Sequence, residues 1–262
     1  MEYNSKTQND VKKLISKYIS QPAEYDIYLS ELFNIIKDDE DLTSCVDNLI
    51  IYKNNIKFGS CARYSSNKKA VGIMWNSFTK DVNYHTSKLI DKVYYGDEIN
   101  YDKLGFMALI LIHELSHAKQ KQIIENERTY ESKLLHYVYD YFDKIGDIEF
   151  FDFYKKNHDL LPNERMAQLS ALKLVSQSLN ESVPVYSNIS LYYKKFLAYS
   201  QLKGYTYGSG SSPLIEYLNL INQSDLEINN NCTLDDKLYY GLPITKEEYI
   251  EKSKVLKIKY NR

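Results

Sequence analysis

The chain has 262 residues, of which 26% are charged, and its formal net charge at pH 7 is −2. This length suffices for one large or two small domains with a buried core. A net charge this close to zero produces no overall electrostatic attraction to nucleic acid or to an anionic membrane. No apolar run reaches the ~20 residues that cross a bilayer, and residues 1–20 lack the apolar core of a signal peptide. We therefore expect a cytoplasmic protein without nucleic-acid or membrane partners.

The cysteines are few and widely spaced. Cys45, Cys61 and Cys232 are odd in number, and no two of them have the spacing of a CxxC motif. This pattern fits a reduced chain better than a disulfide framework, and it predicts no cysteine zinc site.

The first part of the chain changes from helical to strand-like spacing. Residues 8–38 carry apolar side chains at helical intervals, with a division near Pro22. Residues 49–58 and 60–76 collect β-favouring residues, with a polar turn at 65–68. The sequence therefore predicts two helices followed by a small antiparallel sheet.

A long helix is predicted next. Residues 105–112 are apolar throughout, whereas residues 118–127 are amphipathic. This change is typical of a helix that begins inside the core and emerges toward solvent. Asp102 is a plausible helix start, and no proline interrupts 102–128.

The rest of the chain is predicted to be mostly helical. The helical segments are 129–144, 162–180, 187–202, 212–223 and 245–256. No linker is long or polar enough to require separate domains. We therefore expect an α+β, predominantly α-helical fold: a single domain, 1–262, with two lobes at about 1–128 and 129–262.

The predicted long helix contains His113-Glu114-Leu115-Ser116-His117. Residues four apart lie on one face of a helix, so both imidazoles can reach a single cation. Glu114 is rotated by roughly 100° from His113, which places its carboxylate beside a metal rather than on it. There it can take a proton from a bound water, which makes Glu114 a candidate general base.

Two histidines do not complete a catalytic zinc site, which takes three protein ligands and one water. The metzincin continuation would need Gly at 120 and His at 123, but the chain has Gln120 and Ile123. The best third ligand is Glu164, near the start of the helix predicted over 162–180, where the positive end of the helix keeps a carboxylate ionised. Asp159 and Glu149 are the alternatives.

These residues resemble the gluzincins, the thermolysin-like clan of zinc peptidases, in which His-Glu-x-x-His is followed by a Glu on a later helix. Asn-Glu-x-x-Ala, which contains Glu164, is similar to the third-ligand segment of that clan. The resemblance implies a zincin-like fold with zinc on His113, His117 and Glu164, and Glu114 as the base. Many members carry Asp four residues after the ligand Glu; this chain has Gln168, a weaker acceptor for an imidazole N–H.

The resemblance also implies a Tyr or His that hydrogen-bonds the reaction intermediate. Tyr205 and Tyr207, in a glycine-rich segment, are the preferred candidates, with His136 and His158 as alternatives. The chain is more loosely similar to the intracellular peptidases of phages and mobile elements that cut transcriptional repressors.

The sequence therefore predicts a zinc metallopeptidase acting on a peptide or protein substrate. Two alternatives are a zincin-like binding or regulatory protein without peptidase activity, and a structural helical protein with a fortuitous motif. For substrate placement, the strand Ala70–Trp75 is expected to present an unpaired edge to an extended peptide. The opposing possibility is that both sides of this strand are already paired.

Overall fold

The computed structural model describes residues 2–20, 24–54, 60–89, 97–126, 132, 135 and 162–182. Contacts divide the chain into two compact units, Met1–Glu127 with Ser170–Tyr193 and Arg128–Leu169 with Lys194–Arg262. The described residues are mostly helical, with one small sheet of three strands. This architecture agrees with the predicted α+β class.

Six helical elements and three strands make up the described chain. In chain order they are α1 (Ser5–Ser20), α2 (Tyr25–Asp39), a single 3-10 turn (Leu42–Ser44), β1 (Asn48–Tyr52), β2 (Ala62–Ser65), β3 (Ala70–Met74), α3 (Trp75–Leu89), α4 (Asp97–Asn126) and α5 (Pro162–Ser182). The predicted helices over 8–38 and 162–180 are confirmed as α1, α2 and α5. The helices predicted at 187–202, 212–223 and 245–256 lie outside the described residues, as does nearly all of 129–144.

Helices α1 and α2 form because each carries one buried apolar stripe. Val11, Leu14 and Tyr18 are buried at helical intervals along α1, and Leu29 and Leu32 begin the corresponding stripe of α2. The two helices pack against each other and against α4. Burial of these stripes on α4 stabilises all three helices, since short helices are marginal without tertiary contacts.

The sheet is mixed, so the prediction of an antiparallel sheet is wrong in part. Its strand order is β1-β3-β2. Strand β2 pairs with β3 antiparallel, with Tyr64 opposite Val71, whereas β1 pairs with β3 in parallel, with Leu49 opposite Val71. Because β2 lies between β1 and β3 in the chain and reverses its direction, β1 and β3 run the same way. Side-chain alternation within each strand does not encode that direction.

The strand β3 is central, so the prediction of an unpaired edge at Ala70–Trp75 is wrong. Both of its sides are paired, and four of its five residues are buried. Continuous apolar character of this kind is typical of a strand covered on both faces. The strand also ends at Met74, because Trp75 begins α3. Among the described strands, β2 is the edge strand that contacts α4.

Helix α4 carries the His-Glu-x-x-His motif and is the centre of the first compact unit. It begins at Asp97 rather than at Asp102, which is fully buried within the helix. Its middle is apolar on every face, with Phe106, Leu109 and Ile112 all buried, as expected of a helix surrounded by protein. Among the described residues, none of the helices has both the length and the apolar character needed to cross a bilayer.

Helices α4 and α5 approach each other closely at Gly105. A Cβ atom built on Gly105 would lie 2.7 Å from Cδ1 of Leu179 and 3.7 Å from Cγ1 of Val175. The absence of a side chain at Gly105 therefore permits this separation of the helices. On α5, Ala167, Ser170 and Ala171 are buried as well.

Glu40, which follows α2, ties the segment before α1 to α4. Its carboxylate accepts the backbone N–H of Asn4 at 2.8 Å, the hydroxyl of Thr7 and the ammonium of Lys119. The side chains of Glu40 and Lys119 are only 5% and 12% exposed. This carboxylate therefore satisfies several donors inside the protein.

We expect Glu40→Ala to lower the free energy of unfolding by about 3 kcal/mol, because it leaves the largely buried charge of Lys119 without its carboxylate partner. Lys13→Ala is the control, since the Lys13–Asp10 pair is exposed; it should cost no more than about 0.5 kcal/mol. Urea unfolding of both variants measures the difference. Equal effects would show that the contacts of Glu40 add nothing to stability.

Candidate metal centre

His113 and His117 lie one turn apart on α4 and direct the same ring atom to one point. Their Nε2 atoms are 3.2 Å apart, the ring centroids are separated by 4.9 Å, and the ring planes cross at 85°. Both residues are partly buried. Two ring nitrogens at this distance share either a proton or a cation.

Glu164 is the third member of the group. Donor atoms of His113, His117 and Glu164 all lie within 4.8 Å of one another, and this is the group of potential metal ligands found among the described residues. Glu164 occupies the first turn of α5 and is only 7% exposed. The side-chain amide of Asn163 donates to Glu164 Oε1 at 3.2 Å. Helix α5 continues from Glu164 into residues 170–182, which belong to the same compact unit as α4.

The donor set can hold a metal ion, and its spacing is compatible with zinc. At zinc–nitrogen distances of about 2.0–2.1 Å and tetrahedral angles, two nitrogen ligands are about 3.3 Å apart. The observed 3.2 Å between the Nε2 atoms of His113 and His117 agrees with that value. Calcium and magnesium prefer sites built from oxygen atoms alone, so two imidazoles disfavour both. A cation would also compensate the burial of the Glu164 carboxylate.

Gln120 orients His117, an arrangement that we did not predict from the sequence. Gln120 Oε1 lies 3.0 Å from His117 Nδ1, and the Gln120 side chain is fully buried. An amide oxygen accepts a proton from Nδ1, which leaves the Nε2 lone pair of His117 for a metal. The spacing of three residues along a helix could have indicated this pair. The gluzincin pattern points instead to Gln168 for this role.

We expect Gln120→Ala to weaken zinc binding by about 10- to 100-fold, the usual cost of losing a partner that orients a ligand. Gln168→Ala is the matched comparison and should have the smaller effect. Competition with a chromogenic zinc chelator measures both affinities. If Gln168→Ala weakens binding more than Gln120→Ala, the imidazole is oriented by the residue suggested by the gluzincin pattern instead.

Glu114 directly follows His113 on α4, and the placement of its carboxylate beside a bound metal stays a prediction. Its side chain is partly buried, and its Oε2 accepts the backbone N–H of Tyr64 at 2.7 Å. The contact joins β2 to α4. No local sequence signal could have indicated it, because the two residues are 50 positions apart.

Cys61 is a neutral neighbour of Glu114. Burial raises the pKa of this thiol to about 12, aided by a hydrogen bond to Asp81 and by the negative charges of Asp81 and Glu114. The thiol therefore stays protonated near neutral pH. Cys45 and Cys61 are both free thiols, and neither belongs to the three-residue group, whereas Cys232 lies outside the described residues.

The other candidate residues belong to parts of the chain outside the described ranges. Tyr205, Tyr207, His136 and His158 lie outside the described residues, so their proposed contact with the reaction intermediate stays a prediction. The same holds for the alternative ligands, which are Asp159 and Glu149. The structure thus brings together His113, His117 and Glu164.

Compared with known proteins, the chain matches no protein-family model, no curated protein and no solved structure. The resemblance to the gluzincins therefore rests on the motif residues of the sequence.

Proposed function

We propose that this protein is a zinc-dependent metallopeptidase of the gluzincin type. The observation that carries the proposal is the convergence of two imidazole nitrogens and one buried carboxylate, with donor atoms within 4.8 Å of one another. Two His and one Glu form the ligand set of well-characterised zinc peptidases. Glu114 supplies the second requirement of that chemistry, a carboxylate next to the metal position.

The residues divide into those that hold zinc and one that moves a proton. His113, His117 and Glu164 would hold the ion, the histidines as neutral imidazoles and Glu164 as a carboxylate. Zinc, when bound, supplies a Lewis acid that polarises a peptide carbonyl and lowers the pKa of water. Glu114 accepts the proton of the attacking water and passes it to the leaving amine. A purely structural metal site has no use for a base in this position.

Strand β2 replaces β3 as the candidate for substrate alignment. The N–H of Met74 donates to the carbonyl of Cys61 at 2.9 Å, and Arg63 is opposite Gly72. Odd-numbered residues of β2 therefore pair with β3, so Ala62 and Tyr64 direct their backbone groups away from it. The Tyr64 N–H is already bonded to Glu114, so an extended peptide would add to this edge through the backbone groups of Ala62 and the carbonyl of Tyr64.

A mixture of peptides from a digested proteome tests the proposal and requires no identified substrate. Zinc-loaded protein should generate new peptide termini, identified by mass spectrometry, and chelator-treated protein should generate none until zinc is restored. Stoichiometric zinc without cleavage of any peptide or intact protein would contradict the proposal. That result would support the alternative of a zincin-like binding or regulatory protein.

A further inference from the structure

The Glu114 carboxylate is held from outside its own helix. Three side-chain torsions separate it from the α4 backbone, and fixing a glutamate costs up to about 2 kcal/mol of conformational free energy. The N–H of Tyr64 donates to its Oε2 at 2.7 Å. Hydrogen bonds from N–H groups to carboxylates are short and about twice as strong as neutral ones. The contact therefore selects one orientation of the carboxylate.

The amide of Tyr64 is itself fixed at two points. Tyr64 is opposite Val71 in the sheet, in the register of β2 and β3. Its phenol hydroxyl donates to the carbonyl of Cys45 at 2.9 Å. Burial raises the pKa of this phenol, so it remains a donor. In turn, the N–H of Cys45 donates to the carbonyl of Leu42 at 2.9 Å.

We infer that the backbone N–H of Tyr64 is a positioning group that orients Glu114 for proton transfer. This inference rests on the proposed function, because it assigns a role within the same reaction. A general base must be placed within hydrogen-bond reach of its proton, and small displacements are costly. The strand edge that we propose for substrate alignment then also sets the orientation of the base.

Hydrogen exchange tests the contact without any activity assay. An amide that points away from the sheet exchanges quickly unless another group accepts its proton. We expect the Tyr64 amide to be protected in the wild type, and its exchange to accelerate at least about 10-fold in Glu114→Ala. The Arg63 amide, which pairs with β3, should be equally protected in both proteins. Unchanged exchange of Tyr64 in Glu114→Ala would overturn the inference.

Proline at position 64 tests the role in catalysis. Tyr64→Pro deletes the N–H, and a sheet edge tolerates proline where the N–H is not part of the ladder. Tyr64→Ala is the matched variant, since it loses the phenol but keeps the N–H. We expect kcat of Tyr64→Pro to be about 10- to 100-fold below that of Tyr64→Ala, the value of a hydrogen bond to a charged group. KM and zinc content should be equal in the two variants.

A second substitution covers the case in which Tyr64→Pro does not fold. Incorporating the α-hydroxy analogue of tyrosine at position 64 replaces the N–H by an ester oxygen and keeps the phenol. The same fall in kcat is expected relative to the wild type. Equal kcat for the ester and the wild type, or for Tyr64→Pro and Tyr64→Ala, would overturn the inference.

Different results would overturn the positioning role of Tyr64 and the peptidase activity itself. Peptide hydrolysis by the wild type, with kcat insensitive to the N–H at position 64, overturns only the positioning role. No hydrolysis by the zinc-loaded wild type overturns the peptidase assignment, and with it the catalytic role of Tyr64. In that case, slow exchange of the Tyr64 amide that is lost in Glu114→Ala would still support the hydrogen bond between Tyr64 and Glu114.

Discussion

Glu114→Gln is expected to abolish peptide hydrolysis while leaving zinc binding intact. The glutamine amide has nearly the same shape as the carboxylate but cannot accept the proton of the attacking water. General bases contribute about 10²- to 10⁴-fold to rates, so kcat should fall by that factor. The three ligand residues are untouched, so zinc content should stay at about one ion per chain. Peptide hydrolysis and metal analysis on the same preparation measure both quantities.

The control for this substitution is Glu125→Gln on the same helix. Glu125 is exposed and forms an ion pair with Lys121 at 3.4 Å. Its neutralisation should change neither kcat nor zinc content. Hydrolysis by Glu114→Gln at the wild-type rate would exclude Glu114 as the base, even with the metal site intact.

Glu164→Ala, by contrast, is expected to weaken zinc binding itself. Loss of a partner that orients a ligand lowers zinc affinity by about 10- to 100-fold. Loss of one of the three ligands should lower it by more. Loss of His113 and His117 together should remove stoichiometric binding. A ligand that binds the folded state adds about 4 kcal/mol of stability when its free concentration is a thousand times Kd. Zinc should therefore raise the melting temperature of the wild type but not that of the double histidine variant.

A matched substitution on α5 separates loss of a ligand from damage to the helix. Gln177 is exposed, so Gln177→Ala should keep the wild-type zinc affinity. Competition with a chelator of known affinity gives the dissociation constants. If Glu164→Ala binds zinc as tightly as the wild type, the third ligand lies elsewhere, and Asp159 and Glu149 should be substituted next.

The parts of the fold that were predictable from sequence are those with a local signal. Apolar side chains at helical intervals indicated α1, α2 and α5. The spacing of His113 and His117 places both rings on one face of any helix, and it needs no tertiary information. Glu164 could be singled out because it stands in the first turn of a predicted helix.

What could not be predicted depends on pairing between distant residues. The apolar residues of β3 do not show how many strands flank it. The pairing with β1 and β2 shows that both of its edges are occupied. The bond from the Tyr64 N–H to Glu114 depends on the way β2 meets α4. Helix α3 is a different case, because Phe78, Val82 and Thr86 are buried four residues apart, and this spacing could have indicated it.

Anomalous diffraction at the zinc absorption edge, from crystals of the zinc-loaded wild type, tests the proposed metal site most directly. We expect one strong peak per chain, at about 2.0–2.2 Å from Nε2 of His113, Nε2 of His117 and a carboxylate oxygen of Glu164. The same peak should be missing from crystals of the double histidine variant. A peak elsewhere, or one bound by the histidines without Glu164, would contradict the proposed ligand set, and no peak in the wild type would contradict the metal site altogether.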